Sequence, residues 1–377
     1  MANATIPIQR DESDQLYVAP QWKLVWWRFR RHRLAMIGLG VVIVLYLVSL
    51  FPEFLATHDP HERNAKKLYL SPTSVQFFDG WLPRPYVYGL TSKRNPETLA
   101  LEFETDPEKK YRIHYFVRGY EYKLLGLFTT DRHLMALDTD DELAAFHILG
   151  TDRMGRDLWS RLMLATRISM SVGLLGVIIS LFLGILLGGV SGYYSGFIDV
   201  LIQRLIEFLR SIPTIPLWIA LAAAVPRDWS VVKVYFAITV LISFIGWTTL
   251  AREIRGRFLV LREDDFVVAA LIYGSSPLRT IFRHMVPNFV SHIIATTTLA
   301  IPTMIIAETS LSFLGLGLRQ PVISWGVLLF EAQNIRAVSS APWLLVPGAF
   351  VLLSVLAFNF MGDGLRDAAD PYSVGNN

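Results

Sequence analysis

Six stretches of this sequence carry no Asp, Glu, Lys or Arg, and stretches of that kind confine a chain to very few folds. Leu34 to Phe51 is uncharged over 18 residues, enough to cross about 30 Å of hydrocarbon at 1.5 Å per residue. Ile168 to Ile198 follows, with glycines at 173, 176, 184, 188, 189 and 192 that allow close helix approach in lipid. Ser211 to Pro226 is a third stretch, which Pro213 and Pro216 are expected to kink or interrupt. Val234 to Ala251, Met285 to Ala307 and a span within Ala337 to Gly362, anchored near Trp343, complete the set. Only 18% of residues are charged, against about a quarter in soluble domains. The pattern predicts an all-α polytopic membrane protein with six transmembrane helices.

The residues between these stretches set orientation. Residues 1 to 20 are polar, with Asp11, Glu12 and Asp14, and read as a mobile tail rather than a cleavable signal. Trp22, Trp26, Trp27 and Phe29 then alternate with Lys23, Arg28, Arg30, Arg31 and Arg33, which predicts an amphipathic helix lying on the inner leaflet. Basic residues beside a first span hold the amino terminus in the cytoplasm. The expected organisation is a cytoplasmic tail and interfacial helix over 1–33, a first transmembrane helix over 34–52 and an external, periplasmic domain over 53–165. A five-helix core over 166–366 and a cytoplasmic tail over 367–377 follow. The external domain is aromatic-rich, with strand-like stretches Tyr111 to Val117 and Tyr120 to Phe128, and reads as a small mixed α/β unit between spans 1 and 2. Arginines at 252, 255, 257, 262, 279 and 283 mark 252–284 as a cytoplasmic loop.

Chemistry of its own is not expected of this chain. No Gly-Lys dipeptide occurs, so there is no phosphate-cradling GxxxxGK[ST] loop, and no cysteine is present for disulfides or thiolate sites. Ser291 and His292 share one apolar run and lack an acid partner, so no hydrolytic triad is read there. Arg204, Glu207, Pro213 and Glu308 are candidates for gating or for ordering helices, since none of the ionisable ones sits at the middle of an apolar run. His58, Asp59, His61 and Glu62 have a loosely metal-like composition but read as a solvated loop, because a site needs three or four ligands in fixed geometry. No catalytic residue and no metal ligand is assigned. Basic residues in cytoplasmic segments beside the spans explain the net charge of +3 more simply than nucleic acid does. Three roles fit: half of a transport pathway, an anchored receptor or enzyme acting through the external domain, or a stand-alone secondary transporter.

Asp264 to Asn288 reads as helix, bend and helix at the membrane surface, a form suited to docking in a soluble partner and passing on its movement. Ala269, Ala270 and Gly274, followed by Ile281, His284, Pro287 and Asn288, resemble the coupling-loop motif of bacterial binding-protein-dependent ABC transporter permeases, with Val268 at the place of the motif's leading Glu. LGTDRMGRDLWSRLMLATRISMSVG at 149–173, GYYSGFIDV at 192–200, SLSFLGLG at 310–317, ISWGVLL at 323–329 and FNFMGDGLRDAADP at 358–371 resemble the dipeptide, oligopeptide and nickel branch in the same order. The resemblance implies the C-type permease subunit of an importer in the bacterial inner membrane, with an enlarged external loop. It also implies a homologous second permease, two ATP-binding subunits that hold ATP and Mg, an external solute-binding protein and no cofactor on this chain. Peptides, nickel or sugar-derived solutes are the substrates such a resemblance leaves open.

Overall fold

The computed structural model describes residues 21–79, 81–94, 101–137, 139, 141, 144–226, 228–334, 339 and 341–369. The acidic tail and the last eight residues of the expected carboxyl-terminal tail lie outside them. Helix α1 (Gln21–Arg31) buries Phe29 against Ala35 and Ala368 while Trp22 and Trp26 stay exposed. It turns at His32, whose Nδ1 accepts from the Ala35 amide at 3.1 Å, into α2 (Arg33–Leu50). A single turn, α3 (Pro52–Leu55), ends this part.

Three strands follow, β1 (Tyr86–Arg94), β2 (Leu101–Leu124) and β3 (Phe128–Leu137), paired antiparallel in the order β1-β2-β3. The two strand-like stretches run together: Tyr111–Val117 and Tyr120–Leu124 both belong to β2, and the second stretch then passes through the reversal at Leu125–Leu127 to Phe128, the first residue of β3. Gly126, at φ +73, supplies the left-handed backbone that a tight reversal needs. The sheet is tied to α3 by His133, 2% exposed, with Nδ1 2.9 Å from the Glu53 carbonyl and Nε2 3.0 Å from that of Tyr120.

Helix α4 (Leu158–Tyr194) runs for 37 residues. It begins ahead of the expected core boundary because Asp157 caps it, its carboxylate accepting from the Ser160 amide at 2.7 Å. The anticipated third span, Ser211 to Pro226, is instead the end of one helix and the whole of another: α5 (Gly196–Ser211) and α6 (Thr214–Ala223) meet at 87°. Ile212, held extended at ψ 129 before Pro213, is the reason, since proline excludes the helical region for its predecessor. Helix α7 (Val231–Leu261) carries on through Arg252, Arg255 and Arg257, so the first ten residues expected to be loop are helical.

After α8 (Asp265–Ile272) a continuous rod starts at Pro277 and passes through wide and narrow turns around Pro287 before becoming α9 (Val290–Phe313). A short α10 (Trp325–Glu331) and α11 (Val346–Ala369) finish the fold. Among the described residues five helices are long and apolar enough to cross a membrane, or six if the bent α5–α6 pair counts as one span. α4 and α7 meet through a row of small residues. A Cβ on Gly184 would lie 2.9 Å from Leu250 Cδ2, on Gly188 2.4 Å from the Ala251 carbonyl, and on Gly192 2.6 Å from Phe258 Cβ. In lipid, where apolar contact gives no special gain, such close backbone approach is what holds helices together.

Candidate functional site

The segment after α7 presents an apolar surface that its own fold does not cover. Val267 is fully buried in a cluster with Phe258, Ile281, Met285 and Phe289, which seats α8 on the end of α7 and the start of the rod. The other face is open: Ile272 is 80% exposed and Tyr273 91%, with Phe266, Val268 and Leu271 beside them and Ala269 on the same side. Ala270 is half-buried. α8 stops in a Schellman turn, the Ser275 amide donating to the Ala270 carbonyl at 3.0 Å and the Gly274 amide to that of Leu271 at 2.9 Å. Gly274 has φ +77 with open space around its Cα, so conformation and not crowding requires glycine there.

Ile281 is buried, His284 half-buried, and Pro287 and Asn288 exposed. Asn288 donates from its side-chain amide to the His284 carbonyl at 2.6 Å, closing the last turn before α9. All seven residues of the expected coupling motif thus fall in one compact element, joined to α7 on one side and α9 on the other.

Two ties that the sequence reading did not single out fix this element's supports. Arg255 of α7 donates to both oxygens of Asp199 at 2.5 and 2.6 Å, and Ser191 at the end of α4 donates to the same carboxylate at 2.5 Å. Arg204 and Glu207 pair with each other at 2.7 Å one turn further along α5, both exposed. Pro213 stands at the break between α5 and α6.

Glu308 lies about 30 Å along the rod from Asn288 at 1.5 Å per residue, and is completely buried. Its carboxyl accepts from Ser169 at 3.1 Å, Ser312 at 2.8 Å and Ser324 at 2.7 Å. Each serine in turn accepts from a backbone amide, of Trp325, Leu318 and Val327 respectively. One acid therefore anchors α4, α9 and the chain from Leu318 to Val327.

At the same end, Asp152, Arg156, Arg161 and Glu331 form a buried network. Arg161 donates to Asp152 at 2.5 Å and to both oxygens of Glu331 at 2.7 and 2.9 Å, and Arg156 donates to the same two acids. The alternating charges of the 152–161 stretch were the available signal.

The group at His58 to Glu62 does not come together as a cluster. His58 turns inward and stacks on His147, ring centroids 4.5 Å apart, while His61 and Glu62 remain exposed. Both rings border Asp157, whose Oδ1 lies 2.8 Å from His147 Nδ1 and 4.0 Å from His58 Nδ1. Burial, and next the neighbouring His147, push the His58 imidazole down to about 4. Burial works in the opposite sense on Asp157, but the His147 hydrogen bond and the two imidazoles outweigh it and hold that carboxyl low.

Comparison with known proteins bears on both ends of the chain. Residues 180–372 match the family model described as binding-protein-dependent transport system inner membrane component, and residues 20–72 that described as N-terminal TM domain of oligopeptide transport permease C. The oligopeptide transport system permease protein OppC of Salmonella typhimurium is 41% identical over 245 residues, spanning 65% of this chain and 78% of the relative. That of Escherichia coli K12 is 40% identical over 243 residues, 64% and 77% of the two chains. The Bacillus subtilis protein of the same name is 35% identical over 236 residues, 62% and 75%.

Proposed function

This chain belongs to the family of binding-protein-dependent transport system inner membrane components, and from that premise we propose that it forms half of the translocation pathway of an ATP-driven importer of oligopeptides. The relatives named as oligopeptide transport permeases support this substrate class. Its partners in this reading are a second, homologous permease, two ATP-binding subunits carrying ATP and Mg, and an external solute-binding protein. In this reading ATP is bound and hydrolysed by the partner subunits, and the chain itself catalyses nothing.

The observation that carries the reading is the exposed apolar face of α8, mounted on Val267 between the ends of two long helices. A small helix so placed is a lever: whatever grips Ile272 and Tyr273 moves α7 and α9 together. The proposed topology has six crossings, the bent α5–α6 pair supplying the third, with both termini and α8 cytoplasmic in a bacterial inner membrane. The sheet then lies outside, within an external segment that runs from residue 53 to about 157. Arg204–Glu207 and Pro213 shape the broken span, and Glu308 orders the outer ends of the helices instead of carrying substrate or protons.

Gly274→Val tests the lever. Valine at φ +77 is strained by about 1–2 kcal/mol, so the turn after α8 must rebuild. In proteoliposomes holding the whole importer, peptide taken up per ATP hydrolysed should fall severalfold with membrane insertion unchanged. An unaltered ratio contradicts the assignment, and ion-driven peptide uptake by this chain alone would favour a secondary transporter.

A further inference from the structure

One cluster among the described residues has chemistry that the transport role does not use. It lies where the chain leaves α3, where the sheet segment ends and where α4 begins. Donor atoms of His58, His147 and Asp157, one from each residue, all lie within 4.8 Å of one another. The two rings face each other at an angle of 23°.

His133 shows how a purely structural buried histidine looks in this protein, with carbonyl oxygens against both ring nitrogens. His147 is different. It is 4% exposed, its Nδ1 is engaged by Asp157, and its Nε2 is buried with no hydrogen-bond partner among the described residues. Leaving such an atom unpaired costs about 1–3 kcal/mol, so an unpartnered buried nitrogen beside a carboxylate and a second imidazole points to a ligand.

Two imidazoles and one carboxylate are a donor set for a borderline dication, which takes bonds of about 2.0–2.2 Å in tetrahedral array. That array spaces its ligand atoms about 3.3 Å apart, and donor atoms of the three residues already lie within 4.8 Å of one another. We propose that His58, His147 and Asp157 bind Zn²⁺, one nitrogen from each ring and one carboxylate oxygen, with water in the fourth place. His58 is the most open of the three, its side chain 32% exposed against 5% for His147 and 0% for Asp157. An ion bound there fastens both ends of the sheet segment to the first turn of α4 and stiffens that end of the pathway.

The test uses the assembled importer, stripped with a chelator and titrated with Zn²⁺ alone against a chromophoric competitor. One Zn²⁺ per copy of this chain is expected, with affinity at least about tenfold weaker in His58→Gln and in His147→Gln and unchanged in His61→Gln. Zn²⁺ should also raise the melting temperature of the unaltered protein and leave that of His58→Gln where it was. His58 is half-exposed, so this variant is the decisive one if His147→Gln does not fold. Equal Zn²⁺ affinity in the unaltered protein and His58→Gln, or no binding by either, overturns the proposal, as does an equal response to Mg²⁺ or Ca²⁺.

Discussion

Glu331 lies on α10 with two guanidiniums against it, and its titration gives that network a measurable signature. Burial would raise its carboxyl, but the hydrogen bonds and charge of Arg161, then the charge of Arg156, outweigh burial and hold it below the usual carboxylate range. A carboxyl lowered in the folded state contributes stability that is complete above its unfolded value, about 4.3, and lost as pH falls through the folded value. The melting temperature of the unaltered protein should therefore drop as pH is taken below about 4. Glu331→Gln should melt lower at neutral pH, by about 3–5 kcal/mol of stability, and show a shallower acid slope. Parallel slopes for the two proteins would contradict this. Such ties were hard to read from the sequence because their partners are remote: Glu331 sits 170 positions from Arg161 and Glu308 139 positions from Ser169. Gly274 was readable because its requirement, a left-handed residue ending a short helix, is local.

At the scale of elements, the apolar runs were legible wherever length alone decides, and obscure where geometry does. α2 matches its run almost to the residue because hydrophobicity and helix end together there. α7 outruns its apolar part because arginine is a good helix former and Arg255 has Asp199 to hold it. The broken α5–α6 pair was signalled by Pro213 but not its angle, and the long β2 was hidden by charged residues such as Lys109, Lys110 and Arg112 that alternate with its tyrosines. The α4–α7 contact was announced by the glycines at 184, 188 and 192. Gly188→Leu pushes a side chain against the Ala251 backbone, and overpacking of this kind costs about 1–3 kcal/mol. We expect a melting temperature several degrees lower and reduced uptake, while Gly256→Leu, with open space around it, should leave both nearly unchanged. Equal effects of the two substitutions would remove the close-packing explanation.

For the whole molecule, the proposal is a division of labour between a lever at one end of the helices and a buried polar frame at the other. The lever is the Gly274 turn with the open face of α8. The frame is Glu308 with its serines and the Asp152–Arg156–Arg161–Glu331 network. The two ends should then face opposite sides of the membrane. The absence of cysteine makes this direct to examine. Leu127→Cys, in the exposed β2–β3 turn, should react with a membrane-impermeant thiol reagent from outside intact cells, whereas Ile272→Cys should react only in inverted vesicles from cells lacking the ATP-binding subunits. Labelling of both from the same side would exclude six crossings.

The lever itself is tested most directly by where Ile272 goes in the assembled importer. With Ile272→Cys as the single cysteine of this chain, and single cysteines placed in turn along the surface cleft of the ATP-binding subunit, a short bifunctional thiol cross-linker should join the two subunits. The yield should change when ATP is bound, and the cross-linked complex should lose peptide uptake until the link is cleaved. No cross-link at any position, or full uptake with the link in place, would contradict a transport stroke received at α8.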